Sequence, residues 1–448
     1  MASIGAAARR VKADAQEWIS ESMVHQACEA AGRRWRHRVL TPVVTIRLFV
    51  LQVLWGNIAC RAVTRLSELT FTTQAYCEAR MNLPLAVFQS VAAAMTHEAR
   101  QRVADFGRWK GHRVLHIDGT GLSMPDEQAL QKAYGQPKGQ KPGCGFPVMH
   151  VLWLFDAATG LIVDFIPNKC YTHDMADAAK LHTLMDEGDV MVGDCAFASF
   201  AHLALLLQSK LHGVFRMHQR QIVDFTPRRK PRRQRPKAQR KGAPRSRWIK
   251  TLGEQDQIVE YPKPHELPTW MSRQAYDALP RTILVRELRY RIGRPGFRTQ
   301  RVTLVTTLLD AGVCAGQELA ELYGARWQVE TNLKHLKQTM GMNVLRSKTV
   351  EGVSKELWVY LIVHNQVRLF MLDAAQRQGV SPDRISFIDA LDVLCYCDPR
   401  VTVALIVNPL RPDRHEPRVI KRRKDRYTYM TRPREQLRKV LGINKVAA

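Results

Sequence analysis

Two short apolar runs that each close on an aspartate, with a hairpin between them, limit what this chain can fold into more than any other stretch. His112 to Asp126, HRVLHIDGTGLSMPD, reads as a strand that ends at Asp118 and opens into a glycine-rich turn. Phe146 to Lys169 reads as a hairpin, two β-rich runs joined across Asp156 to Gly160. Asp174 to Glu187 then reads as helix and Gly188 to Phe197 as a second buried strand ending at Asp194. Ser199 to Leu211 is again helical, and Gly213 to Met217 is a last strand. Hairpin strands first, then strands alternating with helices, is the order of an α/β domain. Asp118 and Asp194 both stand where apolar strands open into polar turns, and strand-end carboxylates meet in space when the two strands are neighbours. An aspartate that merely caps the next helix is the structural alternative for each. Asp126, Asp156, Asp164, Asp174 and Asp189 compete with them, but none closes an apolar strand on a small-residue turn so cleanly.

Further on, Leu319 to Met342, LAELYGARWQVETNLKHLKQTMGM, carries a lone acidic residue in the middle of a basic helix face. At 3.6 residues per turn, Tyr323, Arg326, Glu330 and Lys337 fall within an arc of about 60°, with Lys334 close by. Leu322, Val329, Leu333, Leu336 and Met340 form the apolar stripe beside it. A carboxylate among cations suits a site where a divalent metal is held while Arg and Lys neutralise phosphate oxygens. An ordinary surface helix with Glu330 paired to Arg326 and Lys334 has the same spacing.

The run Y-x2-R-x3-E-x6-K, filled by Tyr323, Arg326, Glu330 and Lys337, resembles the signature of the insertion-sequence-4 family of DDE transposases, bacterial cut-and-paste enzymes. That resemblance covers roughly residues 110 to 380, and it implies two upstream aspartates at strand ends, the places taken by Asp118 and Asp194. It further implies an RNase H-like catalytic core. In that reading Asp118, Asp194 and Glu330 bind two Mg²⁺ ions, for which Mn²⁺ can substitute, and Tyr323, Arg326, Lys337 and Lys334 hold DNA phosphates. Three carboxylates within a few Å repel one another unless cations lie between them, which is the reason the chemistry needs the metal. One in-line displacement then serves both strand cleavage by water and strand transfer by a 3′-hydroxyl. The implied partners are double-stranded DNA, as terminal inverted repeats and as target, and a second copy of the chain in a paired-end complex.

About 135 residues separate Asp194 from Glu330, which implies an insertion. Its first part, Pro227 to Lys250, contains RRKPRRQRPKAQRKGAPRSRW without an acidic residue and reads as a basic loop that tracks a phosphate backbone. Its second part, Gln257 to Tyr261, Arg281 to Ile292 and Arg298 to Leu308, alternates as antiparallel strands do. Family members carry a β-rich insertion there, and in some an insertion aromatic stacks on a flipped base. Trp248 and Trp270 are the candidates for that role, with ordinary packing as the alternative. This chain departs from relatives in Cys195-Ala196-Phe197 after the second aspartate and in the length of the Arg/Pro tract.

Residues 1–108 read as a helical domain: Val43 to Gly56, Ile58 to Leu69 and Leu85 to Phe106 have helical periodicity, with Pro42 and Pro84 at helix starts. Arg33, Arg34, Arg36, Arg38, Arg61 and Arg65 suit DNA contact, although a packing or dimerisation domain with solvated arginines fits equally. Val350 to Gln378 reads as a long helix with His364 as a polar core residue, and Ile385 to Cys397 as a shorter one. A basic tail follows from Arg411. The expected division is 1–108 helical DNA-binding, 109–221 first part of the core, 222–312 basic and β-rich insertion, 313–380 second part with the Glu helix, and 381–448 basic helical C-terminal region.

The charge agrees: 68 Lys and Arg against 41 Asp and Glu, formally +27, call for a polyanionic partner. Nine cysteines without a CxxC pair suit a reduced cytoplasm. The first residues lack a secretory signal's apolar core, and the longest apolar run, Leu48 to Trp55, is too short to cross a bilayer. No P-loop, GxGxxG or paired Cys/His spacing points to ATP, nicotinamide or zinc. The expected function is Mg-dependent cleavage and strand transfer at the ends of an insertion sequence. Competing expectations are a transposase-derived DNA-binding protein without nuclease activity, and an RNase H-like nuclease without strand transfer.

Overall fold

The computed structural model describes residues 19–36, 38–103, 106–229, 246–292, 301–397, 404–409 and 432–440. Residues 230–245 of the basic tract, 298–300 at the start of the third insertion run, and 410–431 of the basic tail lie outside them. Four helices of the first hundred residues lead into the rest: α1 (Glu21–Ala30), α2 (Pro42–Leu54), α3 (Cys60–Leu66) and α4 (Thr73–Asn82), followed by the longer α5 (Leu85–Arg102). Helix α2 starts where Pro42 supplies the first helical φ and the Thr41 hydroxyl accepts from Val44 N–H. It is apolar almost all round because it is buried almost all round. Helices α1 and α4 have no counterpart in the sequence reading; α4 is mostly polar and buries only Tyr76.

The core is one sheet of nine strands among the described residues: β1 (Val114–Ser123), β2 (Val148–Asp156), β3 (Ile162–Lys169), β4 (Val190–Gly193), β5 (His212–Arg216), β6 (Arg247–Gly253), β7 (Asp256–Pro262), β8 (Thr282–Arg291) and β9 (Arg301–Thr306). They lie side by side in the order 3-2-1-4-5-9-8-7-6. β2 is antiparallel to both β1 and β3, as the hairpin reading requires, and β4 and β5 run parallel to β1. The strands between Asp194 and Glu330 do not form a separate body. β9 pairs antiparallel with β5, so the insertion extends the same sheet.

Both faces of the sheet are covered. On the first, Leu122, Met149, Val151, Trp153 and Phe155 share a buried cluster with α1, α2, α5, α6 (Gln128–Tyr134) and α12 (Val350–Gln378). On the second, Leu115, Ile117, Leu152 and Leu154 meet α7 (Met175–Ala178), α8 (Phe200–Gln208) and the short helical turn Ala179–Leu184. That cluster runs on to Val259, Ile283, Val285 and Val305 of the insertion and to Tyr276 of α9 (Arg273–Asp277), so both halves of the sheet share it. Helix α12 spans the range its periodicity predicts, from a Thr349 cap on Gly352 N–H to Gly379, whose φ of 63° ends it in the left-handed region. His364 is fully buried in it, as expected of a core residue. Among the described residues no helix is long and apolar enough to cross a membrane.

Two local readings change. The strand containing Asp118 does not end there, because Gly119 and Gly121 stay in the ladder opposite Leu152 and His150. Leu319 to Met342 is not one helix either. It divides into α10 (Gly316–Ala325), α11 (Trp327–Lys334) and a wider π turn, His335–Thr339, with Arg326 at the joint.

Candidate active site

β1 and β4 run in parallel register, Val114 opposite Val190, Leu115 opposite Met191, His116 opposite Val192. Two residues further on, Asp118 stands level with Asp194, on the same face by strand alternation and about 4.8 Å away in backbone spacing. Here β1 continues while β4 stops at Gly193, which leaves the pair at an open notch in the sheet. Each carboxylate uses one oxygen locally: Asp118 Oδ1 accepts from Gly119 N–H at 2.9 Å, and Asp194 Oδ1 from Ala196 N–H at 2.7 Å. Asp194 is therefore both a candidate site residue and the cap of the turn Cys195–Phe197. The second oxygen of each remains for other partners.

Glu330 comes over the notch on α11. Arg326 Nη2 donates to Glu330 Oε1 at 3.0 Å, and its Nη1 lies 4.0 Å from Asp118 Oδ2, so a single guanidinium links helix and strand. Arg326 can do this because it sits at the joint between α10 and α11, where Arg326 N–H still bonds Tyr323 and Val329 N–H bonds Arg326. Burial would weaken its charge, but Tyr323, Glu330 and Asp118 outweigh that and hold its pKa above the ordinary value. Asp118 moves the other way: burial, with the nearby Asp194 and Asp174 charges, outweighs the Gly119 hydrogen bond and Arg326 and pushes its carboxyl up to about 6.

The remaining predicted residues are distributed unevenly. Tyr323 is buried under Arg326, its ring centroid 5.7 Å from the guanidinium carbon, and forms part of the cluster with Val190, Val192 and Val214. Lys337 Nζ donates to Thr120 Oγ1 at 2.9 Å, two residues beyond Asp118 on the same strand face. Lys337 makes that bond from within the π turn His335–Thr339. Lys334 itself is exposed. Trp248 lies on β6, the far edge of the sheet, five strand spacings or roughly 24 Å from β4. Trp270 packs against the cluster on the second sheet face. Neither tryptophan is brought to the carboxylates.

The sequence reading missed three residues near the notch. The β4–β5 register, Gly193 opposite Phe215, sets Arg216 level with Asp194 on the same face, so Asp118, Asp194 and Arg216 form a row across three strands. Its signal is the arginine that ends the apolar run GVFR. Trp327, 52% exposed, follows Arg326 and precedes Glu330 by one helical turn. On the other face of β1, His150 Nε2 donates to Asp174 Oδ1, beside Gly119.

Asp118, Asp194 and Glu330 are hard oxygen donors of the kind Mg²⁺ prefers, and the Asp118 carboxyl, raised chiefly by burial, is a group whose ionised form a bound cation would stabilise. Among the described residues, no three potential ligands yet converge on one point, since Glu330 is turned to Arg326.

Residues 109–366, which contain all three carboxylates, match the family model described as Transposase DDE domain. Over 152 residues the chain is 31% identical to Transposase InsG for insertion sequence element IS4 of Escherichia coli (strain K12), covering 30% of this chain and 34% of that protein. The match thus spans about a third of the relative's length. The fold is also similar, at a TM-score of 0.44 and 11% identity over 86% of this chain and 79% of the other, to a piggyBac transposase seen by cryo-EM in a synaptic complex with hairpin DNA. With more than half of its residues inside the family model, the chain belongs to the DDE transposases, a family of phosphoryl-transfer enzymes.

Proposed function

We propose that this protein is the transposase of an insertion sequence, which binds the terminal inverted repeats of its element as a dimer and cleaves and joins DNA strands there. The sheet order 3-2-1-4-5, with only strand 2 antiparallel, supports an RNase H-like reading of the core. The observation that carries the function is Arg326 standing between Asp118 and Glu330, with Asp194 beside Asp118. Asp118 and Asp194 would hold Mg²⁺, or Mn²⁺ in its place, with Glu330 completing the set when its carboxylate leaves Arg326. The metal supplies Lewis-acid activation of the phosphate and of the attacking oxygen.

The chain's own residues do the rest. Arg326, released from Glu330, and Arg216 at the other end of the row bind the phosphate oxygens on either side of the carboxylates. Lys337, fixed by Thr120, and the exposed Lys334 bind the next phosphates, while Tyr323 sets the guanidinium from below. Trp327 offers an exposed ring one turn from Glu330, better placed to stack on an unpaired base than Trp248 or Trp270. The helices before Gly107 and the insertion at 222–312 contact the flanking duplex, and the bacterial cytoplasm is the setting.

The test is cleavage of a duplex carrying the element's end by wild type and by Glu330→Gln in Mg²⁺. Loss of several kcal/mol of transition-state stabilisation, at least about a hundredfold in rate, with DNA binding retained is expected. Equal binding with no cleavage by either protein would favour the DNA-binding reading without nuclease activity.

A further inference from the structure

The glycine after Asp118 marks a second device at the site. A Cβ on Gly119 would run into Asp174 Oδ1 and lie 2.7 Å from His150 Nε2, so the side chains of this pair are pressed against the strand backbone there. Gly119 is also the residue whose N–H fixes Asp118 Oδ1 at 2.9 Å. His150 comes from β2, where it faces Gly121, and Asp174 from the turn that starts the helical stretch after β3. Strand alternation puts His150 on the face of β1 opposite the Asp118 side chain, and Asp174 meets it there in the direction a Gly119 Cβ would take. The two side chains are sheltered, at 20% and 24% exposure, and bond each other through Nε2 and Oδ1. A carboxylate-bound imidazole has a fixed ring orientation, so it makes a stiff support.

We propose that His150 and Asp174 are a positioning pair that supports β1 at Gly119 from beneath and thereby aims the Asp118 carboxylate at its metal. This rests on the reading of Asp118 as a metal ligand. Outer partners that orient a ligand without touching the metal govern affinity strongly. The pair ties β2, β1 and the turn before the first helical stretch together under the one carboxylate that has to face across the notch. β1 and β2 are also joined by a backbone ladder that runs from Leu115 to Ser123.

Mn²⁺ binding to the full chain, read from the electron paramagnetic resonance of the free ion, tests the proposal. His150→Ala should weaken Mn²⁺ roughly ten- to a hundredfold, with the thermal midpoint in metal-free buffer close to wild type. His150→Gln keeps a side-chain N–H for Asp174 and should recover most of the affinity. Gly119→Ala crowds the pair from the other side and should resemble His150→Ala; with His150→Gln it carries the test if the alanine variant fails to fold. Wild-type Mn²⁺ affinity in His150→Ala, while Asp118→Asn has lost it, would overturn the positioning role alone, and so would equal weakening in His150→Gln and His150→Ala. Wild-type affinity in Asp118→Asn would remove the metal-ligand reading and this inference with it.

Discussion

Asp118 is the residue at which the fold works against itself. Its carboxyl is pushed up to about 6 from an ordinary 3.8, with burial the largest cause. The folded protein therefore favours the neutral form. That preference is fully expressed below the unfolded value and is lost as pH rises through 6, so above it the ionised group costs on the order of 3 kcal/mol. Asp118→Asn should accordingly melt above wild type at pH 8 in metal-free buffer, and the gap should close toward pH 4. Mg²⁺ should raise the midpoint of wild type and not of the variant. Calorimetry checks both, and a wild type more stable than the variant at pH 8 without metal would contradict the strain. The same scale shows why Gly119 and Thr120 follow the aspartate: one leaves room for His150 and Asp174, the other receives Lys337.

At the scale of elements, what matters is how the short turn after β4 is held. Asp194 caps it from the front, and from behind His202 of α8 bonds the Phe197 carbonyl through Nδ1 at 2.8 Å. His202 also meets His182 at 3.0 Å between Nε2 atoms, where only one nitrogen can carry a proton. Burial pushes His202 down to about 4, and burial together with the His202 charge pushes His182 down to about 3. Both are neutral when folded, so the stability they allow is present above the unfolded value of 6.5 and falls as pH drops toward 4. Denaturant unfolding should weaken by about 1.4 kcal/mol per pH unit for each such histidine across that window. His202→Phe should flatten the slope whatever its effect at pH 7; an unchanged slope would place the acid sensitivity elsewhere. The helix carrying Glu330 shows the limit of reading elements from periodicity. Leu333, Leu336 and Met340 are buried as the apolar stripe predicts, yet the stripe reports neither the joint at Arg326 nor the π turn after Lys334.

For the whole molecule the formal charge of +27 sets the expected behaviour on DNA. Affinity should fall linearly in log–log terms with salt, at about −0.9 per phosphate neutralised, so six to ten contacts lose roughly 10³ to 10⁵ between 50 and 200 mM. Titration of a labelled duplex checks this, and a slope near zero would mean that the basic surface does not meet the backbone. Arg216→Ala should lower that slope by about one if it holds a phosphate. Read along the chain alone, the parts are already there: a hairpin and two buried strands with their aspartates, a Glu-bearing basic helical stretch, the long helix from Val350 to Gln378, and a family signature. These are legible because they rest on local periodicity and fixed spacing. That β9 joins β5 and makes the insertion part of one sheet, and that the first helices share a core with α12, follows from long-range packing alone. Parallel register alone set Asp118, Asp194 and Arg216 in a row, although nearly a hundred residues separate the first from the last. Those outcomes depend on which strand edges and apolar faces find each other, and pairing across long separations leaves no period in the chain.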